Sequence, residues 1–234
     1  MNYKAVIFDM DGTLIDSIEA DYLAWNKLFV SYHKELSIEN YIPLIGIKSS
    51  EVAMKYLPIK DDVELKEALA KKLIYFENII TEKGIKAIPF SEAIIKQIKE
   101  SGILLALATS SRRAKVEMVM NKVGLMDYFD VVITAEDVKN GKPDPEVFTT
   151  AAQRLSVKPS ECIVFEDAVN GVKAAKNAQM KCIALHSERT DGLLSEADII
   201  IESYEGLDFA ELCSRLGNSK CTANNFQILI ETNR

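Results

Sequence analysis

Two hydrophobic rhythms divide the chain. Residues 3–8 are a run of apolar and β-prone side chains that reads as a buried strand. From about residue 17 to residue 84 no comparable β run occurs, and the pattern predicts helices over 17–32, 38–44, 49–57 and 61–80. In the last of these, Val63, Leu65, Ala68, Leu69, Leu73, Ile74 and Phe76 recur roughly at helical spacing. Pro43, Gly46 and Pro58 mark the breaks.

Beyond Pro89 the rhythm alternates. Helices over 91–100, 112–123, 146–155, 169–178 and near 204–216 interleave with short apolar strands over 103–108, 131–133, 162–165, 181–185 and 197–201. Gly102 and Gly124 stand at helix ends, and Asp144 and Pro145 at a helix start. This alternation predicts an α/β fold, a doubly wound parallel sheet covered on both faces with right-handed crossovers. Residues 1–16 and 85–216 would form that core, and the helical segment 17–84 would be inserted into it. Residues 217–234 are polar and Asn-rich with a weak apolar patch at 226–230, and are expected to form a loosely held tail.

Composition narrows the partners. A chain of 234 residues has room for one large core or two small ones. Its net charge of −7 argues against nucleic acid or an anionic membrane as partner, since both need clustered Lys and Arg. The longest apolar run, 103–108, is too short to span a bilayer, and the N-terminus shows no signal-peptide core. Cys162, Cys182, Cys213 and Cys221 lack CxxC spacing, and His33 and His186 are the only histidines. Zinc-finger patterns are thereby excluded, and packing thiols are expected in place of a disulfide framework. The expectation is a cytoplasmic protein, monomeric or a weak homodimer.

The chemistry gathers where strands end, which is where open α/β sheets bind ligands. Asp9 and Asp11 follow the first strand two positions apart, so both side chains leave it on one side. Two carboxylates that close repel unless a cation or a shared proton intervenes; the plainer reading is that they cap a helix. Thr109, Ser110 and Ser111 follow the strand at 103–108 and supply a hydroxyl and helix-end amides, or simply an N-cap. Lys142 sits between Gly141 and Pro143 after the third strand, as a fixed positive charge or an ordinary solvated lysine. Glu166 and Asp167 follow the fourth, as further acidic ligands or as capping acids. Taken together, up to four carboxylates in one crevice call for a divalent cation, and all-oxygen ligands suit Mg²⁺. A metal, a lysine and helix-end amides describe a phosphoryl pocket.

The segments DMDGTL, ALATSS, GKPDPEVF and VFEDAVNGV together resemble the haloacid dehalogenase superfamily over nearly the whole chain, in its β-phosphoglucomutase-like and phosphoglycolate phosphatase-like branch. The resemblance implies a Rossmann-like core with an α-helical cap over 17–84. It implies Asp9 as the nucleophile that forms an aspartyl-phosphate, and Asp11 as general acid and base. Thr109, Ser110 and Lys142 would bind phosphate. Mg²⁺ would be held by Asp9, the Asp11 carbonyl and Asp167, with Glu166 a ligand or a partner behind them. Substrate choice would fall to the cap, around Asp21, Gly46, Lys48 and Ser49.

The resemblance also implies, from the aspartate at position 11, phosphate-ester chemistry in place of dehalogenation or ion pumping. Mutases of this branch carry a His before the Ala-Trp pair of the first cap helix and an Arg after a cap-loop Gly. Here Asp21 stands at the first position and Ser49 near the second, with Lys48 a possible substitute for the Arg. Their absence favours water as phosphoryl acceptor, hence a phosphatase of a small phosphorylated metabolite. The alternatives are a sugar-phosphate mutase and, from another class, a catalytically inactive binding or regulatory protein on the same fold.

Overall fold

The computed structural model describes residues 3–217. Six strands form one parallel sheet: β1 (Ala5–Phe8), β2 (Leu104–Ala108), β3 (Val131–Ile133), β4 (Cys162–Glu166), β5 (Lys181–Leu185) and β6 (Ile199–Ile201), ordered β3-β2-β1-β4-β5-β6. Strand β1 lies at the centre, with Phe8 level with Leu107 of β2 and Phe165 of β4. The order reverses between β1 and β4, so the crevice beyond their carboxyl ends is the place where such a sheet binds ligands. The residues that follow β1, β2 and β4 therefore emerge side by side.

Nine α-helices surround the sheet among the described residues: α1 (Ile18–Ser31), α2 (Ile38–Tyr41), α3 (Ser49–Tyr56), α4 (Asp62–Lys83), α5 (Ser91–Glu100), α6 (Arg113–Lys122), α7 (Glu146–Arg154), α8 (Val169–Asn177) and α9 (Phe209–Arg215). The central strands are buried on both faces, so their residues alternate between two cores rather than between core and water. Val6, Phe8, Leu105, Leu107, Ile163 and Phe165 face the core under α5, α6 and α9. Ala5, Ile7, Ala106, Ala108, Cys162 and Val164 face the core under α7 and α8. Cys162 and Cys182 are free, buried packing thiols, whereas Cys213 is disulfide-bonded and departs from that expectation.

Helices α1 to α4 carry a third hydrophobic cluster of their own, including Trp25, Leu28, Phe29, Tyr41, Val52 and Leu69. Trp25 is a packing residue there, edge-on to Phe29 at 6.1 Å between ring centres. Helix α4 starts where the Asp61 side chain accepts the amides of Val63 and Glu64, and ends at Gly84. The two segments that join this helical insert to the sheet run side by side: Ile88 N donates to Leu14 O at 2.7 Å and Asp16 N to Lys86 O at 3.0 Å.

The expected elements are all present, with ends shifted by a few residues. The largest differences are at the C-terminal helix, which begins at Phe209 rather than near 204, and in the stretch 38–44, where α2 passes into a 3₁₀ turn (Ile42–Leu44) at Pro43. Most of the predicted tail, 218–234, lies outside the described residues.

Candidate active site

Asp9 leaves the end of β1 still in register with its neighbour, its amide donating to Phe165 O at 2.9 Å. Lys142 enters from the loop before α7, and its side chain is fully enclosed. Its Nζ lies 2.6 Å from Asp9 Oδ1 and 2.6 Å from Glu166 Oε1. The other Glu166 oxygen accepts the amides of Asp167 at 2.8 Å and Ala168 at 2.9 Å. A buried carboxylate with all these donors is satisfied, so Glu166 stands behind Lys142 as its orienting partner.

Two glycines make this arrangement possible. Gly12, at φ +85°, turns the chain after Asp11, and a Cβ on it would lie 2.1 Å from Asp167 Oδ2. At Gly171, in the first turn of α8, a Cβ would meet Glu166 Oε1. Thr13 Oγ1 fixes Asp167 by donating to its Oδ1 at 3.0 Å.

Asp9, Glu166 and Asp167 each present a carboxylate oxygen, all within 4.8 Å of one another. Burial pushes the Asp9 carboxyl up to about 7 against the pull of Lys142, with Glu166 and Asp11 adding to the rise. Burial, then the neighbouring Glu166 and Asp9, raise Asp167 well above the carboxylate range. Among the described residues neither Asp9 Oδ2 nor Asp167 Oδ2 accepts a hydrogen bond. Crowded, unfilled carboxylate oxygens of this kind fit a divalent cation with oxygen ligands.

Asp11 lies on the side of the site nearer the insert. Its Oδ1 accepts from Ser17 Oγ and is ion-paired with Lys115 Nζ at 2.7 Å, and its Oδ2 accepts from Ser111 Oγ at 2.5 Å. Thr109 is buried at the end of β2; its Oγ1 accepts the Ser111 amide at 3.0 Å, and the residue lines the cavity between sheet and insert. Ser110 lines that cavity too, but donates its hydroxyl to Gly46 O at 2.5 Å.

The insert closes over this site. Besides Ser110, Asn170 Nδ2 donates to Pro43 O and Ile45 O at 3.1 and 3.0 Å, and Gly141 N donates to Glu51 Oε1 at 2.9 Å. The cavity left between them measures ≈ 40 Å³. Asp21, Gly46 and Ser49 line it. Lys48 does not: its Nζ turns to Val138 O at 2.8 Å and Lys139 O at 3.2 Å, and ties the insert to the Lys142 loop. In this structure Lys48 thus faces those carbonyls and not the cavity.

Residue reading missed two cavity lysines. Lys72 of α4 and Lys115 of α6 converge on Asp21 Oδ1 at 2.7 and 2.9 Å, and Tyr41 donates to Asp21 Oδ2 at 3.0 Å. Burial alone would raise the Asp21 carboxyl, but Lys115 and Lys72 outweigh it and hold it well below its usual range. The signal was available in part. Lys72 falls on the buried stripe Ala68, Leu69, Phe76, Ile79, Ile80, and Lys115 on the stripe Val116, Val119, Met120. Charged residues at core positions of an amphipathic helix mark a site where a buried partner must exist.

The family model of haloacid dehalogenase-like hydrolases matches residues 6–185. The chain belongs to this family. Among its relatives in that family, the phosphorylated carbohydrates phosphatase of Thermotoga maritima is 35% identical over 205 residues, spanning 84% of this chain and 92% of the relative. Hexitol phosphatase A of Escherichia coli is 32% identical over 206 residues, spanning 88% and 93%. Among solved haloacid dehalogenase-like structures, β-phosphoglucomutase from Clostridium difficile superposes with a TM-score of 0.82 at 27% identity, covering 92% of this chain and 97% of that one. The parallel six-strand core with its flanking helices is shared with these proteins. No helix among the described residues is long and apolar enough to cross a membrane.

Proposed function

We propose that this haloacid dehalogenase-like hydrolase is a Mg²⁺-dependent phosphatase of a small phosphorylated carbohydrate. The observation that carries the reading is the convergence of Asp9, Lys142 and Asp167 at the ends of β1 and β4, with Asp11 lining the same cavity as Asp9. The names of the T. maritima and E. coli relatives support the substrate class.

Asp9 would attack phosphorus with one carboxylate oxygen. The phosphorus–leaving-oxygen bond breaks, and that oxygen takes a proton from Asp11. Water, giving its proton to Asp11, then attacks phosphorus and releases the Asp9 carboxylate with inorganic phosphate. Lys142 stands beside the attacking carboxylate, and Thr109 with the amides that follow it would hold phosphoryl oxygens. Mg²⁺, held by Asp9 and Asp167 with the Asp11 carbonyl, would supply positive charge to the phosphoryl group and the acidic cluster. Residues 17–84 would act as a cap that opens to admit substrate and shuts to exclude water.

Hydrolysis is preferred to mutase action because Asp21 occupies the place of the mutase His and is fully engaged by Lys72, Lys115 and Tyr41. β-Glucose 1-phosphate should therefore give free phosphate and little glucose 6-phosphate; a predominance of glucose 6-phosphate would make the protein a mutase. Chelation with EDTA should abolish phosphate release, and Mg²⁺ should restore it.

A further inference from the structure

We propose that Lys115 is a positioning residue for Asp11 and the link through which closure of the insert aligns that carboxylate, an inference that rests on the phosphatase reading above. Lys115 belongs to the sheet side of the molecule, on α6, and is nearly enclosed, 7% exposed along its side chain. Its ammonium has two carboxylate partners: Asp11 Oδ1 at 2.7 Å on its own side, and Asp21 Oδ1 at 2.9 Å on the insert. The face of Phe76, from α4, lies 4.5 Å from Nζ. The three groups leave the ammonium little freedom, and each approaches from a different element.

The two pairs respond differently to motion. Lys115 and Asp11 both stand on the sheet side, so their contact survives opening of the insert. The Asp21 contact crosses the cavity and exists only when the insert is shut. Closure therefore converts a long, flexible lysine with one anchor into a cation pinned between two carboxylates. The Asp11 carboxylate gains a fixed cation beside its two donors, Ser17 and Ser111. Lys72, 2.7 Å from the same Asp21 oxygen and over the Trp25 ring at 4.5 Å, holds Asp21 in place from within the insert. A proton-handling group displaced by about 1 Å loses on the order of 10²-fold in rate, so fixing its direction matters more than adding affinity.

The test uses Lys115→Met, Lys115→Arg and Asp21→Asn with p-nitrophenyl phosphate and Mg²⁺. Lys115→Met is expected to lower kcat by about tenfold or more while KM changes less than about threefold, and Lys115→Arg to recover most of the loss. Asp21→Asn, which keeps the lysine, is expected to lower kcat by about threefold or more, and the double variant K115M/D21N to be no worse than K115M. Asp21→Asn carries the test alone if Lys115→Met does not fold. Wild-type kcat in Lys115→Met or in Asp21→Asn overturns the inference, as does a loss confined to KM or one that arginine fails to repair. An inactive wild type overturns the phosphatase reading and this inference with it, whereas an active wild type with indifferent variants overturns this inference alone.

Discussion

Gly171 and Glu166 are fitted to each other: a Cβ built on Gly171 falls 1.7 Å from Glu166 Oε1, far inside non-bonded contact. Helix α8 can start against the buried carboxylate only because position 171 has no side chain. The carboxylate in turn is what receives Lys142 and two backbone amides. Gly171→Ala must push one of them away. The expected cost is about 1–3 kcal/mol of stability, read as a lowered denaturation midpoint, with reduced phosphatase activity. The exposed Lys173→Ala on the same helix should change neither, and an unperturbed Gly171→Ala protein would contradict this packing.

Lys142 is the cation on which both Asp9 and Glu166 depend. Burial works against its charge, but Asp9 and Glu166 outweigh that and raise its pKa. Removing it by Lys142→Met leaves two buried carboxylates without a counterion, a change that costs about 3–5 kcal/mol in comparable buried pairs. The variant should be inactive and destabilised in EDTA, and Mg²⁺ should recover more stability in it than in wild type. Equal Mg²⁺ effects on the two denaturation midpoints would separate the metal site from the lysine.

Asp21 gives a pH signature of defined sign. Its folded-state pKa lies below the unfolded value because Lys115 and Lys72 overcome the effect of burial. A group lowered in this way contributes stability that is fully present above the unfolded carboxylate value, about 3.9, and is lost as pH falls below it toward the folded value. The denaturation midpoint of the wild type should therefore fall more steeply between about pH 5 and pH 2 than that of Asp21→Asn. Parallel curves would show that Asp21 is not held as an anion.

Much of this was legible in the sequence because strand ends and chemistry coincide. Val6, Ile7 and Phe8 announce a strand, and Asp9 follows it; the same holds for Ala108 with Thr109, while β4 ends on Glu166 itself with Asp167 next. What local pattern cannot supply is the partner of a side chain far away along the chain. Lys48 reads equally well as a pocket residue or as a tie to the carbonyls of Val138 and Lys139, and only the folded chain separates them. Lys115 meets Asp21 across 94 positions. Val63 and Ile74, placed in the apolar set of their helix, are exposed, while Lys72 takes the buried position between Leu69 and Phe76. Counting apolar residues found the helix, and the buried partner of Lys72 decided which face turned inward.

A covalent bond between Asp9 and phosphorus would be trapped by acid quenching of the protein during turnover of p-nitrophenyl phosphate with Mg²⁺, followed by peptide mass analysis. A phosphoryl group on the peptide containing Asp9 is expected in the wild type, with none, and no turnover, in Asp9→Asn. Turnover at the wild-type rate by Asp9→Asn, or a phosphoryl group carried on a different residue, would contradict the account.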